Sequence, residues 1–126
     1  MDALRNAHRM LVDDGILLDL HPIPPSMHAY AEGRDLGVVD GREFYRAVRA
    51  TERELSRTVD EGLFALEQET ELDVVERFDT AEELFETVEE WGDIHLSKRV
   101  SARIGRATPP IDLQERLVLR RYRRTR

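Results

Sequence analysis

The chain contains no cysteine. Disulfides and thiolate chemistry are therefore excluded, and the composition fits a reducing, cytoplasmic setting. Long apolar runs are also missing. Ile16-Leu17-Leu18 is broken at Asp19, and nothing approaches the roughly 18–20 apolar residues of a membrane-spanning helix. The opening residues carry Asp2 and an amphipathic pattern in place of a basic stretch followed by an apolar one, so no signal peptide is expected. The seven glycines never fall in a G-x-G cluster, and neither a P-loop nor a zinc motif is present. Aromatics are scarce, and the basic tail RRYRRTR holds only Tyr122 for base stacking. Nucleic acid is for that reason not an expected partner.

What is present is charge, unevenly distributed. Residues 60–93 carry 14 acidic and 1 basic side chain, a balance of −13. Residues 94–126 carry 10 basic and 2 acidic, a balance of +8. The first 59 residues hold 8 basic and 10 acidic, which brings the whole to −7. Two such blocks in one chain are expected to neutralise each other inside the fold or across a dimer. At 126 residues there is material for one modest core.

Periodicity divides this single domain into five stretches. Residues 1–21 read as a helix with Leu4, Ala7, His8 and Leu11 on one face, a turn at Asp13-Asp14-Gly15, and a buried strand at 16–20. Residues 22–40 read as a proline bend, at which Pro22, Pro24 and Pro25 stop the strand, followed by a hairpin of 29–31 and 36–39. Residues 41–78 begin with a helix to about residue 60, opened by Asp40 and Glu43 as a capping-box-like pair. Two strands around a turn near Thr70 complete that stretch, against the helix-forming character of ALEQETEL. Residues 79–108 give two helices. Thr80 and Glu83 cap the first, whose buried stripe ends at Trp91, and Ser97 opens the second. Residues 112–126 form the last strand and the basic tail. The fold class expected is α/β to α+β, a small, mainly antiparallel sheet flanked by helices.

In layout, HRMLVDDGILLDLHP resembles the segment around the fifth strand of class I S-adenosylmethionine-dependent methyltransferases. There a helix ending in Arg-hydrophobic-Leu leads through Pro-Gly-Gly to an apolar strand; here Asp-Asp-Gly takes that place. VVERFDTAEELFETVEEW is similar to a later stretch of such enzymes, and RLVLRRYRR to their last, antiparallel strand. The likeness covers nearly the whole chain, as the C-terminal half of that Rossmann-like family. It implies a module without the family's glycine-rich loop, hence without bound cofactor unless a partner chain supplies the missing half and S-adenosylmethionine with it.

In the family the fifth strand pairs with the fourth on one side and the last on the other. The resemblance therefore implies a bare edge at Ile16, Leu17, Leu18 and Leu20, expected to pair with a second copy or with a cofactor-binding partner chain. It also places His21 beside a substrate, where imidazole can act as a general base. Strand alternation puts Asp19 on the same face as an orienting partner. His21 equally fits a ring packed on prolines. Tyr30 and Trp91 are pocket candidates, although Trp91 also completes an apolar stripe. The four histidines lack ligand spacing, so no metal is expected. Three functions remain open: a non-catalytic module that is oligomeric or partner-bound, a small-molecule methyltransferase assembled in trans, and a small α+β interaction domain.

Overall fold

A computed structural model describes residues 2–125. The chain is α+β. Its helices are α1 (Asp2–Met10), α2 (Arg42–Asp60), α3 (Ala81–Trp91) and α4 (Lys98–Arg106). Its strands are β1 (Ile16–Ala31), β2 (Arg34–Val38), β3 (Phe64–Phe78) and β4 (Ile111–Arg124). The strands form one antiparallel sheet in the order β2-β1-β4-β3, with the last strand inserted between two earlier ones. No helix among the described residues is long and apolar enough to cross a membrane.

Two strand boundaries differ from expectation. The prolines do not stop β1, which runs through Pro22, Pro24 and Pro25 to Ala31. Proline is tolerated in a strand where its nitrogen faces an unpaired edge, and β2 covers β1 only at its far end, from His28↔Val38 to Ala31↔Arg34. Nor does β3 turn at Thr70; Phe64–Phe78 is one strand. Its local helix preference is overridden by pairing with β4, along which Arg77 meets Asp112 at 2.9 Å, Arg116 meets Asp73 at 3.1 Å, Arg120 meets Glu69 at 3.2 Å and Arg123 meets Glu67 at 2.9 Å. The acidic and basic blocks of the sequence thus face each other across one strand pair. Arg126, the last residue of the basic tail, lies outside the described residues.

The chain divides into two compact units. One comprises Met1–Pro22, Arg46–Leu72 and Leu117–Arg126. Its core is Leu55, Phe64 and Tyr122, with Leu4, Leu11, Leu17, Val59 and Leu63 packed around them. Phe64 is 1% exposed, and the Tyr122 and His8 rings stand edge-on to it at centroid distances of 6.5 and 5.5 Å. Burial of one such side chain contributes about 1.5–3 kcal/mol. The Gly15 carbonyl accepts from the Arg124 amide at 2.9 Å and the Leu63 carbonyl from the Thr125 amide at 3.1 Å, so the end of β4 is tied on both sides.

The other unit comprises Ile23–Tyr45 and Asp73–Arg116. Alternate residues of β1 (Met27, Ala29, Ala31) join Ile111 and Leu113 of β4, Leu84 and Val88 of α3 and Ile104 of α4 in its core. The Thr80 hydroxyl accepts from the Glu83 amide at 3.2 Å, and the Glu83 carboxylate reaches back to the Asp79 amide. Ser97 caps α4 in the same manner. At α2 the expected capping pair is rearranged. Asp40 accepts from the Arg42 amide at 3.1 Å, while Glu43 turns to His95 at 3.3 Å. Gly37 is required by position: its φ is +127°, and a β-carbon there would lie 2.8 Å from Val100 Cγ2.

Candidate functional site

In the first unit, β1 and α2 bring two carboxylates and an imidazole together. Strand alternation sets Asp19 and His21 on one face, and the third turn of α2 directs Glu52 toward them. His21 Nδ1 lies 2.6 Å from Asp19 Oδ2, and Nε2 lies 2.6 Å from Glu52 Oε1. The ring is buried, with 8% of its residue surface exposed. Glu52 also accepts from Arg120 Nη1 at 3.4 Å, and Arg120 Nε donates to Glu69 at 3.2 Å. The result is a chain of hydrogen-bonded side chains, Asp19–His21–Glu52–Arg120–Glu69. Such networks hold their geometry well when every member is satisfied.

Beside this chain lies an open cleft of about 340 Å³, walled by Glu52, Glu69, Arg120 and Tyr122 together with Ser56, Val59 and Leu66. Burial raises the Tyr122 phenol above its ordinary value; nearby Arg120 works against that and Asp19 with it. His21 does not line the cleft, whereas Glu52, its hydrogen-bond partner, does.

The sequence candidates fall as follows. Asp19 and His21 meet. Glu52 and Arg120, which complete their surroundings, were not legible: they lie 31 and 99 residues from His21, and a single sequence carries no signal for such pairings. In the second unit, Tyr30 lines an open cleft of about 220 Å³ with Pro25, His28 and Gln114, its ring stacked on His28 at 6.1 Å. Trp91 does not share that cleft; it packs against the hydrophobic core. The remaining histidines are dispersed, His28 on Asp35 at 3.0 Å, His95 on Glu43, and His8 on the Phe64 ring. Among the described residues no group of three or more ligating side chains could hold a metal ion.

The second unit also holds a half-buried acid, Glu115. Burial, with Glu76 adding to it, pushes the Glu115 carboxyl above its usual range. Burial and Glu115 likewise raise the Tyr45 phenol.

The β1 edge is the remaining feature. Leu18 is 63% and Leu20 57% exposed, whereas Ile16 and Leu17 are half-buried and Leu17 packs into the core of its unit. Gly15 directs its carbonyl to β4. Alternation then turns the amides and carbonyls of Leu17, Asp19 and His21 to β4, and those of Ile16, Leu18 and Leu20 to the opposite side. On that side the registered pairing with β2 covers only residues 28–31.

No protein-family model, no curated protein and no solved structure matches this chain.

Proposed function

We propose that the chain is a methyltransferase-like module that acts by assembly through the 16–20 edge of β1 and does not transfer methyl groups by itself. The observation that carries this reading is the position of β1: β4 occupies one side, and among the described residues no strand pairs with the other side of residues 16–20, where the Leu18 and Leu20 side chains are exposed. The resemblance expects this arrangement, since the family's fifth strand has the last strand on one side and a strand of the cofactor half on the other.

Two further observations favour a non-catalytic role. The sequence has no G-x-G cluster in which a backbone can closely approach a nucleoside cofactor. His21 has a carboxylate 2.6 Å from each nitrogen and is buried, so neither nitrogen is open to a substrate proton. On this reading Asp19, His21 and Glu52 fasten β1 to α2, and the stiffened strand presents its far edge for pairing. S-adenosylmethionine enters only with a partner that supplies a site for it.

The test is titration calorimetry of the purified chain with S-adenosylmethionine. The expected result is no binding heat at tens of micromolar protein. A saturable isotherm near one site per chain contradicts the proposal and makes His21 and Asp19 the first residues to mutate.

A further inference from the structure

The assembly reading leaves the partner open, and the edge itself narrows it. By strand alternation the amides of Ile16, Leu18 and Leu20 point away from β4, to the side on which the registered pairing with β2 covers residues 28–31. The next outward positions are Pro22 and Pro24, which have no N–H to give. The usable edge is therefore short and ends sharply, as edges protected against indiscriminate pairing do. Its outward-pointing residues are all apolar and carry no charge that a second strand must match.

We infer that this edge pairs with the same edge of a second copy, antiparallel about a twofold axis at Leu18; the inference rests on the assembly role proposed above. In that register Leu18 faces Leu18 of the second copy, and Ile16 faces its Leu20. Each outward amide finds a carbonyl, because i pairs with j wherever j pairs with i. The exposed leucines become cross-strand apolar pairs.

Charge decides between neighbouring registers. Centring the axis on Asp19 sets that carboxylate opposite its own copy, a destabilising like-charge pair. Centring on Leu18 sets Asp19 opposite Leu17 instead. The Leu18 register also leaves Pro22 opposite Asp14, beyond the paired residues, so no amide is lost to a proline.

The absence of cysteine makes a direct test possible. Leu18→Cys is expected to give a disulfide-linked dimer under mild oxidation, since opposed residues of a strand pair lie within bridging distance. Met10→Cys, at a position 85% exposed but away from the edge, is the control for random collision and is expected to remain monomeric on a denaturing gel. An equimolar mixture of Ile16→Cys and Leu20→Cys is expected to cross-link more completely than either alone. In sedimentation velocity the unaltered chain is expected to be a dimer at tens of micromolar, and Leu18→Lys to shift it at least tenfold toward monomer with its circular dichroism unchanged. If the lysine variant fails to fold, the cysteine pattern decides. A monomeric unaltered chain, or cross-linking no better at Leu18 than at Met10, overturns the self-pairing. A monomer that also gives no heat with S-adenosylmethionine leaves the assembly reading standing with a different partner strand, whereas binding of that cofactor overturns the reading itself.

Discussion

The His21 ring stands 2.6 Å from the Asp19 carboxylate, two residues earlier on the same face of β1, and is 8% exposed. Glu52 closes on the other nitrogen at the same distance. These contacts decide how the most suggestive residue of the sequence is to be understood. A general base needs one nitrogen free for its substrate; a strut needs both engaged. His21 has both engaged.

Removing the strut should be costly. His21→Ala leaves two carboxylates facing each other with neither hydrogen bond made, and each partner left unsatisfied typically costs about 1–3 kcal/mol. Thermal unfolding followed by circular dichroism should show the midpoint falling by ten degrees or more. A change within about two degrees would mean that the contacts carry little.

Gly37→Ala should also destabilise, by about 1–3 kcal/mol. The alanine would hold φ at +127° with its β-carbon 2.8 Å from Val100 Cγ2, a branched side chain fixed in the core. Gly33, at φ +74° with open space around it, is the comparison. Gly33→Ala should cost less, because only the backbone term applies. Denaturant melts of the two variants check the order.

Glu115 opposes folding at neutral pH. Burial raises its carboxyl above the ordinary range, so the folded chain holds that proton more tightly than the unfolded chain does. Between the unfolded and folded values, stability falls as pH rises, and above the folded value the whole cost is present. Glu115→Gln should therefore raise the melting temperature at pH 7, with the gain shrinking toward zero as pH drops through the carboxylate range. Melts at pH 7 and pH 4 test this. An equal gain at both values would point to packing in place of charge.

Acid acts in the opposite sense on Asp40 and Asp112. The Arg42 side chain, hydrogen-bonded to Asp40, lowers that carboxyl from 3.8 to about 2. The hydrogen bond from Arg77 lowers Asp112. Both contributions are present above the ordinary carboxylate value, and that of Asp40 is lost as pH falls from 3.8 toward 2. Carbon-13 NMR titration of the carboxyls should give an Asp40 midpoint near 2, returning toward 3.8 in Arg42→Ala.

Much of the fold was legible in local patterns. The turn at Asp13-Asp14-Gly15, the caps at Thr80 and Ser97 and the stripe that includes Leu84 and Val88 each depend on neighbours three or four residues away, and each appears near its expected place. The prolines of β1 misled because proline reads as a breaker wherever its amide is needed, and the sequence does not show that this edge lacks a partner. Residues 64–78 read as strand on either side of Thr70, and only the turn between them is absent: the arginines of β4 that meet the acids of this segment lie more than thirty residues on, so its unbroken pairing leaves no local trace. The site divides the same way. Asp19 and His21 were visible as a period-two pair, whereas Glu52 and Arg120 arrive through tertiary packing.

The central claim is that the 16–20 edge is bare in one chain and filled by assembly, and amide hydrogen exchange followed residue by residue across a dilution series tests it most directly. By alternation the amides of Leu17, Asp19 and His21 face β4, and they should stay protected at every concentration. Those of Ile16, Leu18 and Leu20 should be protected at high concentration and lose protection on dilution, giving an alternation of period two that local fraying cannot produce. Protection of all six amides that is independent of concentration, or exchange of all six together, would contradict the account.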